Sequence, residues 1–171
     1  MVTSVQAFAA AEAHLQRQAR GITAMVAATL HAQFPTAAFL VLDLFEEQDP
    51  DLCEEEAADE ALYLDSIRAL DGTLVYAFPF PDDDAQLRAA TLPVLPNAVL
   101  RRAWGELDPQ EPAHLLNLIH RINTTDVLYA ASRPLLPDLP AQAAHPHDPQ
   151  EQNLLCLPLT PAAALAAASG S

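Results

Sequence analysis

The sequence predicts an α+β fold in which a small antiparallel sheet of three strands is covered by a long N-terminal helix and by C-terminal helices. An apolar run near residue 40 and two strand-like runs around one Asp-Gly pair predict the sheet. Apolar residues at helical spacing on both sides of these runs predict the helices. Strands that follow one another, with helices before and after them, are typical of α+β rather than alternating α/β folds.

Residues 4–33 are predicted to form one long helix. Its apolar side chains recur at helical spacing and lie on one stripe, which we expect to pack on the core. Pro35 ends the helix, because proline pushes the residue before it out of helical geometry. The stripe consists of Phe8, Leu15, Ile22 and Val26.

The three predicted strands cover about residues 37–45, 61–70 and 73–79. The first is almost wholly apolar, which predicts burial on both faces. The other two flank Asp71-Gly72, a pair that favours a two-residue hairpin turn because both central residues must reach positive φ. Between the first and second strands, residues 46–60 form a linker that is too long for a tight hairpin.

Three further helices are predicted after the sheet. The first starts near Asp84, where acidic residues favour the positive end of the helix dipole. The second covers about residues 97–104. The third begins near Asp108, which is followed by a proline at the first helical position and by a glutamate three residues after the cap. Its expected buried stripe is Leu115, Leu118, Ile119 and Ile122.

The composition of the chain changes after residue 132. Residues 1–132 are predicted to form a single globular α+β domain, and residues 133–171, which are rich in Pro and Ala, a partly irregular tail. Within that tail, the apolar run 154–159 is expected to dock on the body of the protein or on another molecule.

Negative charge is concentrated in one stretch of the chain. From Asp43 to Asp84 there are fifteen carboxylates and one cation, Arg68, so this stretch carries −14 of the −15 formal charge. A field of this kind attracts positively charged partners and repels the phosphates of nucleic acids. We therefore expect a basic protein as the partner and no direct contact with nucleic acid.

The expected contact surface lies within residues 43–84, with the linker 46–60 at its centre. Its carboxylates would speed encounter by long-range attraction, and aromatic residues beside them would supply a packed centre. The residues predicted to bind the partner are Phe45, Glu46, Glu47, Asp49, Asp51, Glu54, Glu55, Glu56, Asp59, Glu60 and Tyr63.

Asp43 and Asp65 are unusual, because each is an acid inside a strand-like apolar run. They could face each other across the sheet and hold a catalytic or metal-binding position, or point to solvent; a solvated or structurally paired role is the preferred interpretation. The six histidines share no ligand spacing, and four glycines leave no phosphate-binding loop. No catalytic residue, metal site or cofactor is therefore predicted.

A cytoplasmic protein without membrane contact is expected. No run of eighteen apolar residues is present, and residues 1–20 lack the basic start and apolar centre of a secretory signal. Two cysteines, Cys53 and Cys156, are too few for a disulfide framework. All eight cations are arginine, which is typical of a biased, bacterial-like genomic composition.

The predicted function is that of a non-catalytic acidic interaction protein. An inhibitor, an immunity-like protein and a chaperone-like protein are the expected forms of this function. The layout resembles bacterial immunity proteins and secretion chaperones in architecture and charge, without a shared motif. One alternative is a homo-oligomeric structural or scaffold protein, for example a homodimer. Another is a divalent-cation-dependent enzyme that uses Asp43 and Asp65.

Overall fold

A computed structural model describes residues 4–46, 60–79, 84–125, 127, 133–134 and 153–169. These residues form a mixed α+β fold, as predicted, with a long N-terminal helix, an antiparallel sheet and C-terminal helices. In chain order the elements are α1 (Val5–Gln33), β1 (Phe39–Glu46), β2 (Glu60–Arg68), β3 (Leu74–Ala77), α2 (Asp84–Ala89), α3 (Ala98–Ala103), α4 (Pro112–Asn123), β4 (Arg133–Pro134), β5 (Asn153–Pro158) and α5 (Pro161–Ser169).

The sheet contains five strands among the described residues, in the order β3-β2-β1-β5-β4, with every neighbouring pair antiparallel. The prediction of three strands is therefore two strands short. Both additional strands come from the segment that was expected to be a partly irregular tail. The run 154–159 does dock on the body: most of it forms β5, an interior strand of the sheet between β1 and β4.

The two faces of the sheet bury different kinds of side chain. One face is aliphatic and packs with the C-terminal half of α1 and with α4 in the larger of two core clusters. The other face joins Phe39, Val41 and Cys156 to Ala163 of α5 in a smaller cluster. Because β1 lies inside the sheet and both faces are covered, residues 39–44 are all buried, as their apolar run predicts.

Helix α1 is fixed at its C-terminal end. The side chain of Gln33 is buried, and its Nε2 donates to the carbonyl oxygens of Pro93 at 2.9 Å and Pro109 at 2.8 Å. One turn earlier, Trp104 Nε1 donates to Thr29 Oγ1 at 2.9 Å. These bonds connect α1 to the proline-rich segments around α3, so this half of the helix is tied to the rest of the fold.

Two local predictions need correction. The hairpin around Gly72 is longer than a two-residue turn: the amide of Gly72 donates to Ala69 O, the amide of Ala69 donates to Thr73 O, and Gly72 has a φ of 84°. Three residues with glycine in the left-handed position form the next most common hairpin loop. Helix α4 starts at Pro112 rather than near Asp108, whose Oδ1 instead accepts the amide of Gln110 in the preceding turn.

Candidate functional site

The centre of the predicted contact surface lies where β1 ends and β2 begins. Glu46 is the last residue of β1, Glu60 is the first residue of β2, and the two are paired across the strands. The chain therefore leaves the sheet and returns to it at neighbouring positions. Residues 46–60 contain nine acids and no basic residue.

The described residues include only part of the predicted binding set. Phe45, Glu46 and Glu60 lie in strand backbone at that end of the sheet. Tyr63 is half-buried and pairs with Asp43. The remaining members lie outside the described residues: Glu47, Asp49, Asp51, Glu54, Glu55, Glu56 and Asp59.

Two acids of the stretch are not on the surface. Asp43 is 6% exposed and Asp65 is 3% exposed, so a solvent-facing position is wrong for both. Asp43 lies on β1, both faces of which are covered. Asp65 lies at a bulge, because Val41 pairs with Ser66 but Leu42 pairs with Leu64, which leaves Asp65 as the extra residue of β2. A bulge re-aims the side chains beside it. The sequence does not reveal the bulge, so the direction of the Asp65 side chain could not be deduced.

Asp65 belongs to a buried polar cluster with Ser66 and Arg68. Ser66 Oγ donates to Asp65 Oδ2 at 2.6 Å, and Arg68 Nε donates to Ser66 Oγ at 3.2 Å. Arg68 Nη1 also donates to Gly72 O at 3.1 Å, which ties the cluster to the hairpin. Buried charges persist when they are paired and hydrogen-bonded. This cluster stabilises the sheet, and it holds the one cation of the acidic stretch inside the protein, 7% exposed.

Cys156 adjoins this cluster from β5, where it pairs with Val41. Burial raises the pKa of its thiol to about 12; the positive charge of Arg68 opposes this rise and the negative charge of Asp65 adds to it. The thiolate is the nucleophilic form, so the buried thiol is unreactive at neutral pH. Cys156 is therefore not a candidate nucleophile.

Cys156 is accordingly expected to resist alkylation in the folded protein. At pH 8, iodoacetamide should label it roughly 100-fold or more slowly in buffer than in denaturant, because burial suppresses both thiolate and access. Mass spectrometry of the peptide that contains Cys156 measures this rate separately from that of Cys53. Equal rates in both conditions would contradict the assignment.

The raised pKa of the Cys156 thiol also predicts that the free energy of unfolding falls as the pH rises from 9.0 towards about 12, because only the folded state then keeps the proton.

The N-terminal half of α1 departs from prediction. Residues 4–18 are all exposed, with Phe8 at 60% and Leu15 at 55%, whereas Val26 on the same stripe is fully buried. The expectation that the whole stripe packs on the core is wrong for this half. A helix of 29 residues is about 43 Å long at 1.5 Å per residue, well beyond the reach of a strand of eight residues at about 27 Å. Comparing these lengths could have revealed the overhang from the sequence.

A shallow cavity of about 300 Å³ lies beside α3 and the turn that precedes α4. Two of its polar groups are engaged within the protein: Arg101 Nη2 donates to Leu95 O at 2.9 Å, and the amide of Asp108 donates to His114 Nδ1 at 2.8 Å. None of the residues that line it belongs to the acidic stretch, so the two features are separate.

Neither a metal site among the described residues nor a known relative points to a function. Among the residues described, no three His, Cys, Asp or Glu side chains are grouped to hold a metal ion. Within the same part of the chain, no helix combines the length and the apolarity needed to cross a bilayer. No protein-family model matches the sequence, and no curated protein or solved structure matches it.

Proposed function

We propose that this protein is a non-catalytic interaction protein whose acidic stretch binds a basic partner protein, as an inhibitor, immunity-like protein or chaperone does. The observation that carries the proposal is the position of Arg68. It is the one cation between residues 43 and 84, and its guanidinium is buried and hydrogen-bonded to Ser66 and Gly72. Arg68 thus faces into the protein, and the sequence offers the other acids of the stretch no second cation within it.

The geometry of the sheet adds a second support. Nine of the fifteen acids of the stretch lie in residues 46–60, which leave and re-enter the sheet at the Glu46–Glu60 pair. Both flanks of this segment are thus held at one end of the sheet. A local excess of one sign raises the association rate with an oppositely charged protein and makes the rate fall with salt.

Two matched double variants test the proposal. Glu46→Gln/Glu60→Gln removes two charges from the acidic stretch, and Glu106→Gln/Glu111→Gln removes two exposed charges elsewhere. Partners captured from an extract of the source cells at low salt, and released at high salt, are identified and purified. The first variant is expected to weaken binding of the purified partner by about 2- to 30-fold, at roughly 0.2–1 kcal/mol per exposed charge pair. The second should change it less than about twofold.

The variant Glu46→Gln/Glu60→Gln is not expected to destabilise the fold. Glu46 and Glu60 are register partners, and like charges at paired positions in a sheet are destabilising, so the folded variant should be at least as stable as the wild type. A loss of binding cannot then be attributed to unfolding. Equal effects of the two variants, or a captured partner that is not basic, would refute the proposal.

A further inference from the structure

The N-terminal half of α1, residues 4–18, overhangs the sheet and carries an apolar stripe whose side chains are exposed. Val5, Phe8 and Leu15 are 84%, 60% and 55% exposed, while Val26 and Leu30 further along the same helix are buried. At about 100° per residue, Phe8, Leu15 and Val26 lie within about 20° of one another around the helix axis. The exposed stripe is therefore the outward continuation of the core-facing stripe.

This overhang is long enough and fixed enough to serve as a docking element. Residues 4–18 span about 22 Å at 1.5 Å per residue. An isolated helix of this length is marginal in water, but here it continues from a half that is anchored through Gln33 and Thr29, so the costly nucleation step is already complete. A partner thus meets a preformed helix and loses little entropy in ordering it.

The charge on the stripe indicates what kind of partner fits it. Glu12 lies about 40° from Phe8 around the axis, inside the stripe rather than on the opposite face. In a parallel pair of such helices the two Glu12 side chains would face each other, and in an antiparallel pair that sets Phe8 beside Leu15 they would meet near the two-fold axis. Each copy also carries a net charge of −15. A second copy is therefore repelled, whereas a basic surface is attracted.

We propose that the stripe formed by Val5, Phe8, Glu12 and Leu15 docks into an apolar groove of the basic partner, with Glu12 meeting a cation at the groove. Spacings of three, four and seven residues between anchors on one face are those of a helix bound in a groove. The inference rests on the proposed function and deepens it: the acidic stretch steers the partner, and the helix supplies the apolar contact that charge alone lacks.

A photo-crosslinking experiment tests where the partner lies. The photoreactive analogue p-benzoylphenylalanine replaces Phe8 in one full-length chain and Ala10, on the opposite face, in a control chain, and both are expressed in the source cells. The proposal expects the reporter at Phe8 to form an adduct with a basic protein and the reporter at Ala10 to form little or none. An adduct of two copies of this chain, or equal yields at both positions, would overturn it.

The crosslinked protein is then purified and its affinity measured with variants of the full chain. Phe8→Ser/Leu15→Ser and Glu12→Arg are each expected to weaken binding about 30-fold or more, as for central anchors. Ala10→Ser/Arg17→Ser, on the opposite face of α1, is the matched control and should change affinity less than about twofold. Circular dichroism should show all three variants folded, because these side chains are exposed.

The two proposals fail in different ways. If Glu46→Gln/Glu60→Gln weakens binding and Phe8→Ser/Leu15→Ser does not, the docking helix is refuted and the acidic contact remains. If Phe8→Ser/Leu15→Ser and Glu46→Gln/Glu60→Gln both bind the crosslinked protein as tightly as the wild type does, both proposals are refuted.

Discussion

A chain that ends at residue 152 is expected not to fold. It lacks β5, which lies between β1 and β4 and pairs with six residues of β1. Leu155, Cys156 and Leu157 would be lost from the core, where each is at most 8% exposed. Their removal would leave β1 as an open apolar edge, which promotes aggregation. Far-ultraviolet circular dichroism and urea unfolding should show loss of the cooperative transition.

Substitutions of two leucines near the C-terminus distinguish the effect of lost core packing from the effect of shortening the chain. Leu157 is 2% exposed and Leu165 is 71% exposed. Leu157→Ala should lower the free energy of unfolding by about 2–5 kcal/mol, because it removes buried methyl groups and leaves a cavity. Leu165→Ala should change it by less than about 0.5 kcal/mol. A chain of residues 1–152 that unfolds cooperatively at the wild-type urea midpoint would contradict the central role of β5.

The elements predicted well are those whose evidence lies within a few residues. The apolar run of β1, the Asp-Gly hairpin and the stripe of α4 are each predicted by a short residue pattern that local backbone geometry determines. Leu115, Leu118, Ile119 and Ile122 are all buried, as that stripe predicts. Local periodicity therefore located these elements and the faces that they bury.

The elements missed depend on contacts between distant parts of the chain. Strand β5 lies more than a hundred residues after β1, and its apolar run shows that it is buried but not which strand it joins. For the candidate site, charge counting identified residues 46–60 as the densest acidic segment of the sequence. It could not show that Arg68 turns inward, because that orientation depends on the bulge at Asp65.

Replacing Arg68 with methionine is expected to destabilise the protein strongly at neutral pH. Methionine keeps much of the buried length of the side chain but removes the charge that shares this face with Asp65. Removing one partner of a buried ionic cluster costs about 3–5 kcal/mol, because the remaining charge stays buried without compensation. Arg102→Met is the matched control, since Arg102 is exposed on α3 and should contribute less than about 0.5 kcal/mol.

A double-mutant cycle with Asp65→Asn gives the sharper test. The asparagine removes the buried negative charge that shares this face with Arg68, so Arg68→Met should cost less free energy of unfolding in the Asp65→Asn background than in the wild type. Urea unfolding of the wild type, the two single variants and the double variant measures this difference directly. An equal cost in both backgrounds would mean that Arg68 contributes through packing of its aliphatic stem. The inward use of its charge, on which the proposed acidic contact depends, would then have to be abandoned.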